Sequence, residues 1–280
     1  MAFYGDAVEP DLTDDDGWSR RIGLCIEAVR TWESEREHEP VEPGSALAGD
    51  DAQSRSLPVS TLAWMGISTG IDHLALFADL FVANEATPRP LAPFTVTRAA
   101  LLGASQAVWL LCPTSRGERV RRASLVAEDE RHQHRVFAND YARDPFVRSS
   151  FAPESLADLE RVCARLRADE AAIRAKLGKG PRLSSTTMMR EAAEHLARDG
   201  TEAEWLRLAL AHEWRLSSAA AHARMWPLHV RPTTSEPLPG GGEMRRLTSS
   251  IAQIGTAFAA ATMMTSEALR LWDERRTSHD

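Results

Sequence analysis

Hydrophobic positions recur at spacings of three and four along most of this chain, and the alternation of a half-buried strand is nearly absent. Ile22, Cys25, Ile26, Val29 and Trp32 define a first amphipathic helix, which gives way to the charged run Glu33 to His38. From Glu39 to Leu57, Pro40, Pro43, Gly44 and Gly49 stand among acidic residues, and the stretch reads as a flexible linker or long loop. Thr61 to Asn84 is apolar nearly all round (Leu62, Met65, Ile67, Ile71, Leu74, Phe77, Leu80, Phe81), the pattern of a helix at the centre of a bundle. Pro88, Pro90 and Pro93 punctuate the following turn. Arg98 to Leu111 then places Leu101, Ala104, Val108 and Leu111 on one face.

Ser115 with Glu118 forms a capping box that opens a highly charged helix running to about Tyr141. Leu156, Leu159, Cys163, Leu166, Ile173 and Leu177 form a bundle seam closed by Gly178 and Gly180. Glu170 interrupts that seam, so its carboxylate must reach solvent or meet a cation on a neighbour. A shorter helix spans Thr187 to Asp199 and ends at Gly200. A second capping box, Thr201 with Glu204, opens the next helix. Pro227 through Gly242 is too rich in Pro and Gly to be regular. Leu247, Ile251, Ile254, Phe258, Ala261, Thr265, Ala268 and Trp272 give the last helix another four-three seam, with Gly255, Ala259 and Ala260 permitting close approach. These elements predict an all-α protein, a single multi-helix bundle of about eight helices over 58–275. One helix and an acidic, Pro- and Gly-bearing linker precede it in 1–57.

The charge balance narrows the partners. A formal net charge of −7 and a pI near 5.8 argue against bulk electrostatic adhesion to nucleic acid or to anionic membrane, so RNA would need a local basic groove. Arginines do cluster, at 116, 119, 121, 122 and 131 and again from 161 to 182, but Glu and Asp alternate with them as on solvated helix faces. Cys25, Cys112 and Cys163 are odd in number and each sits among apolar residues, as reduced core thiols do. The first 17 residues lack the basic-then-apolar order of a secretion signal, and no uninterrupted apolar run reaches the ~18 residues of a membrane span. A soluble cytoplasmic protein with no membrane partner is expected. Gly240-Gly241-Gly242 lacks the preceding strand and the following Lys of a phosphate loop, so no cofactor is expected.

One helix carries the candidate chemistry. His212, Arg215, Ser218 and His222 are spaced three, three and four residues apart and form one polar stripe on an element otherwise made of Leu, Ala and Trp. Arg215 and His222 share a face, yet their backbones stand ~10.5 Å apart if the helix is continuous. The two could meet one phosphate only where the helix tightens or ends between them, as Ser217, Ser218 and the approaching Pro227 would allow.

At these residues the chain resembles the HEPN superfamily of helical bundles, whose signature is an Arg, a short gap and a His near the end of a late helix. It is also similar to a set of mostly actinobacterial helical proteins in a wider pattern. That pattern reads here as Asp72-His73, Arg98-Ala99-Ala100-Leu101, Trp109-Leu110-Leu111-Cys112-Pro113, Arg119-Val120-Arg121-Arg122, and Trp214 through Trp226. Two positions depart from it: Leu216 stands where many HEPN ribonucleases have a polar residue, and Gly103 where an acidic partner for Arg98 would be expected. The resemblance implies a metal-independent endoribonuclease of toxin or defence type, acting as a homodimer, with RNA and an antitoxin or other protein as partners. His222 would move the 2′-hydroxyl or leaving-group proton, Arg215 would offset charge at phosphorus, and Ser218 would orient either. Asp72, His73, His212, Arg224 and Trp226 are the candidate binding residues around them.

The same residues fit a second reading, a non-catalytic helical ligand-binding or scaffold protein. In it Arg215 pairs with a carboxylate such as Asp72, while His222 bonds Ser218 or a backbone carbonyl. Asp72-His73 would then be a helix-to-helix contact rather than part of a pocket with His222. Glu128-Asp129-Glu130-Arg131-His132-Gln133-His134 has metal-like i,i+4 pairs, but lacks the doubled Glu-x-x-His of di-iron bundles and reads as a solvated face. Trp64, Trp109, Trp214 and Trp226 are placed by their helical spacing in the core rather than on a base-stacking platform.

Overall fold

Helical periodicity translates directly into helices. The computed structural model describes residues 14–35, 39–54, 57–83, 89–198, 202–231 and 233–278. Ten α-helices and one short hairpin account for the described residues: α1 (Asp15–Glu35), α2 (Ala46–Gln53), α3 (Val59–Ala83), α4 (Ala92–Leu111), α5 (Arg116–Arg143), α6 (Pro145–Ser150), α7 (Pro153–Leu177), α8 (Ser185–Leu196), α9 (Ala203–Ala221) and α10 (Ile251–Arg276). A 3-10 turn, Trp226–His229, follows α9, and β1 (Thr233–Pro237) pairs antiparallel with β2 (Glu243–Leu247). The protein is therefore all-α, with ten helices where about eight were expected.

The chain divides into two units, and α3, α4, α8 and α10 contribute to both. In the first unit, glycine sets the helix spacing. A Cβ on Gly103 of α4 would lie 2.7 Å from the Gly66 carbonyl of α3, and one on Gly255 of α10 would lie 2.6 Å from the Trp18 ring of α1. Absence of a side chain at Gly103 thus brings two helices together, which is what the position does in place of carrying an acid. Phe77 of α3 stacks on Phe258 of α10 with centroids 4.1 Å apart, and Ile22 and Val29 of α1, Leu74 of α3 and Leu101 of α4 are buried as well. α3 is not buried on all sides as a helix at the centre of a bundle would be: Leu76, Leu80 and Val82 are exposed together with Asp72 and Asp79. Both α3 and α4 are nonetheless long and apolar enough to cross a membrane by length and composition, since the few polar residues within them do not lower the mean hydropathy below that of a span.

In the second unit α5 and α7 run antiparallel, as the pairings Glu128 with Arg174 and Arg135 with Glu170 require. Ala138, Ala142, Cys163 and Leu166 form the apolar cluster between them. The interrupting Glu170 meets a cation: Arg135 Nε donates to it at 2.6 Å and His132 Nδ1 lies 3.0 Å away. That guanidinium bond, ahead of the imidazole, holds the carboxyl below its ordinary range. The stretch expected to be a linker carries α2, because Ser45 caps it by accepting from the Ala48 amide and Asp50 faces inward. Asp50, wholly buried, accepts a two-point fork from Arg119, with Nε at 2.5 Å and Nη2 at 2.9 Å, and a third contact from Arg116.

Several local expectations are corrected. Ser115 makes no side-chain cap to α5; Glu118 turns instead to Arg121 and Arg122, whose hydrogen bonds draw its carboxyl down to about 2. The Pro- and Gly-rich stretch is partly regular, holding the 3-10 turn and the hairpin, and Leu247 belongs to β2 rather than to the last helix. Gly240, Gly241 and Gly242 form the hairpin's tip, all at φ between 94° and 99° with nothing near a prospective Cβ. The expected Thr201 cap and Gly200 stop lie outside the described residues. The three cysteines are free thiols, Cys163 buried and the others half-buried.

Candidate functional site

α9 is built two-faced. Leu206, Leu210, Glu213 and Ser217 repeat at four, three and four, and the last three of these are buried. The opposite face carries Trp205, Leu208, His212 and Arg215, all exposed, with Ser218 half-buried at its margin. The helix continues without a break to Ala221, and His222 is its C-terminal cap residue, followed by Ala223 at a positive φ of 51°. The helix therefore ends at the histidine, not between it and Arg215, and the two side chains stay seven residues apart on one convex face. Both are open to solvent, and neither makes a side-chain hydrogen bond or ion pair among the described residues. Arg224 and Trp226 continue the exposed surface beyond the helix end.

This arrangement corrects the structural pairings the sequence suggested. Arg215 does not pair with Asp72, whose side chain is 85% exposed and lies 3.7 Å from His73. His73 bonds the carbonyl of Thr69 on its own helix at 2.9 Å, so it neither crosses to a neighbouring helix nor joins His222. His222 meets Ser218 only through the backbone, its amide donating to the Ser218 carbonyl at 3.1 Å. Trp226 is 43% exposed and Trp205 74%, so neither is a core residue, whereas Trp109 and Trp214 are buried.

The inner face of α9 holds a group that the stripe of polar residues drew attention away from. Glu213 is 8% exposed, and its Oε2 has no hydrogen-bond partner. Burial is the larger influence on its carboxyl and pushes it up to about 7, against smaller downward pulls from the Thr256 hydroxyl and the Arg231 guanidinium. Arg231, just past the 3-10 turn, is 5% exposed and sits 3.7 Å above the Phe94 ring. Its Nη1 donates to the Pro90 carbonyl at 3.2 Å, while Nε and Nη2 have no partner. Burial, more than the opposing charge of Glu213, governs this guanidinium and lowers its pKa. Arg98 of α4 lies 4.9 Å from the Trp214 ring, and its Nε is likewise unpartnered. The signal for Glu213 was present in the sequence, since it falls in the apolar four-three series of its helix. Arg231 had none, lying in a stretch without periodicity.

The metal-like run behaves differently from a solvated face. Glu128 is buried, and with Asp129, His132, Arg182 and Leu183 it lines an open recess of about 180 Å³, a volume that includes open solvent. Among the described residues no three His, Cys, Asp or Glu side chains are arranged to hold a metal ion. Arg174 and Arg182 stand beside these acids instead.

Comparison with family models, with curated proteins and with solved structures finds no match to this chain. The resemblance to the HEPN superfamily thus receives no support from those comparisons.

Proposed function

We propose that the solvent face of α9, with the turn that follows it, binds single-stranded RNA, and that the chain is a cytoplasmic, HEPN-like helical RNA-binding protein. One observation carries the reading. Between Glu204 and Glu236, the exposed acids that bound the stretch, every ionisable side chain that reaches solvent is an Arg or a His (Arg207, His212, Arg215, His222, Arg224, His229), the one acid within it, Glu213, being buried. In a chain of net charge −7, Arg207, Arg215 and Arg224 make this a stretch of local positive charge, flanked by the exposed rings of Trp205 and Trp226. Cations that track a phosphate backbone, joined to aromatic faces on which bases stack, are how single strands are held without sequence preference. An exposed Asp72 midway along α3 is at home in water and speaks against α3 as a membrane span.

Cleavage is the catalytic form of the same reading. His222 would take the proton of a 2′-hydroxyl, whose oxygen attacks the adjacent phosphorus as the P–O5′ bond breaks and the 5′-oxygen takes a proton from water, leaving a 2′,3′-cyclic phosphate and a 5′-hydroxyl. Arg215 would offset the charge gathered on the phosphoryl oxygens. With ~10.5 Å of helix between the two on one chain, a second copy must bring its own α9 face to complete the pair, so this form requires a homodimer. Fluorescence anisotropy with a labelled 20-mer of uridine at 50 mM salt tests the binding, and a cleavage assay in EDTA tests the chemistry. Saturable binding that Arg215→Ala with Arg224→Ala weakens at least about tenfold is expected. No binding at that salt concentration overturns the reading.

Exposed Leu208, Met225 and Val230 interleave the cations and favour a second, non-catalytic reading, a scaffold that docks a protein partner such as an antitoxin. Loss of RNA binding alongside capture of a defined acidic protein would select it.

A further inference from the structure

The outer face of α5 carries the seam pattern of the buried helices onto open surface. Glu130, His134, Phe137, Tyr141 and Asp144 are spaced four, three, four and three residues apart, the rhythm that in α7 and α10 marks a packed face. At ~100° per residue they fall within about 80° of helical arc. All five are exposed, while Ala138 and Ala142 on the other side of the helix are buried with Cys163 and Leu166 of α7. Phe137 and Tyr141 stack with centroids 6.4 Å apart, and Phe151, just before α7, meets the Tyr141 ring edge-on at 6.0 Å. Phe137 is 70% exposed, Tyr141 44% and Phe151 43%, and Phe146 of the adjoining α6 is 74% exposed. At ~200 Å² per aromatic residue, about 450 Å² of ring surface stands in water here.

This face is complementary to itself. Phe137 with Tyr141, and His134 with Asp144, are each placed symmetrically about position 139. Run antiparallel against a second α5, rings meet rings at the centre, and an imidazole N–H meets a carboxylate on either side. The amides that Asp144 caps at the start of α6 both bond Oδ1, which leaves Oδ2 to accept from the imidazole. A partner of uniform charge would satisfy the His134 end or the Asp144 end of the seam, not both. Two copies would enclose about 900 Å² of ring, the apolar centre of an interface whose ordinary size is about 1,600 Å², with Gln133 and Asp140 at its polar rim.

We propose that α5 pairs antiparallel with α5 of a second copy of this chain, centred on Phe137 and Tyr141, to form a two-fold dimer. The pairing uses a different helix from the RNA-binding face proposed on α9 and does not rest on that reading. Sedimentation equilibrium of the full chain over roughly 1–100 μM is the test, and a monomer–dimer equilibrium is expected. Phe137→Asp, at an exposed position, should raise the dimer Kd at least about tenfold with the far-UV circular dichroism unchanged. His134→Glu, which sets like charges opposite one another, should raise it at least about threefold, and His134→Arg should hold or lower it. A protein that stays monomeric across that range overturns the proposal, as does a dimer indifferent to both Phe137→Asp and His134→Glu. Dissociation by Leu208→Asp with Phe137→Asp inert would put the contact on α9 and overturn it too. Monomeric protein that binds phosphatidylcholine vesicles would assign the rings to a lipid surface instead, with the same consequence.

Discussion

At the scale of single residues, the energetic weight of this protein falls on carboxylates placed among hydrocarbon. Glu213 titrates near 7 when folded and near its ordinary 4.5 when unfolded, so between those values the native state holds a proton that the unfolded chain has released. Stability then falls as pH rises from about 4.5 to 7 and stays reduced above it, by up to about 3 kcal/mol at ~1.4 kcal/mol per unit. The groups facing Glu213 are Thr256 of α10 and Arg231, and their pull is already contained in that value. Urea unfolding at pH 5 and pH 8 should show this loss in the parent protein and little of it in Glu213→Gln. Asp50 is the opposite case, a buried carboxylate fully forked by Arg119. Arg119→Ala should cost about 3–5 kcal/mol in the same measurement, since it strands the acid in the second unit's interior with only the half-exposed Arg116 beside it.

At the scale of elements, two glycines make opposite predictions from one geometric criterion. Gly23 lies inside α1 with nothing within 4 Å of a prospective Cβ, so Gly23→Ala should stabilise by about 0.5–1 kcal/mol. Gly103→Ala should destabilise by about 1–3 kcal/mol, because the backbone carbonyl it would strike cannot rotate away. Thermal unfolding of the two variants side by side would separate propensity from packing. The long helices were legible in the sequence because Leu, Ile and Val repeat at the helical period. α2 was not, because its eight residues hold Gly49, two aspartates and few apolar side chains, and it is fixed by a charge fork from α5 that lies 69 residues away. The hairpin was hidden for a related reason: Thr233–Pro237 and Glu243–Leu247 contain no apolar alternation to mark a buried face. For the site, the outer stripe could be read from spacing alone. Its exposure could not, because a helix of Leu, Ala and Trp gives equal reason to bury either side.

At the scale of the whole molecule, the net charge of −7 and the basic outer face of α9 must act in different ranges. The first repels a polyanion at a distance, and salt screens that repulsion over roughly 8–10 Å; the second attracts only at contact. If the outer face binds RNA as proposed, the affinity should fall with added salt, with a logarithmic slope that Arg215→Ala with Arg224→Ala reduces by about 1.4, or about 0.7 per lost phosphate contact on a single strand. An unchanged slope would place the contacts elsewhere. A different use follows from the hairpin's tip. Three successive glycines with dihedrals that other residues resist, and no neighbour to collide with, mark a point where foreign sequence can be spliced in at small thermodynamic cost. A short peptide epitope between Gly240 and Gly241 would give antibodies and fluorophores a handle on the chain while leaving the helices intact.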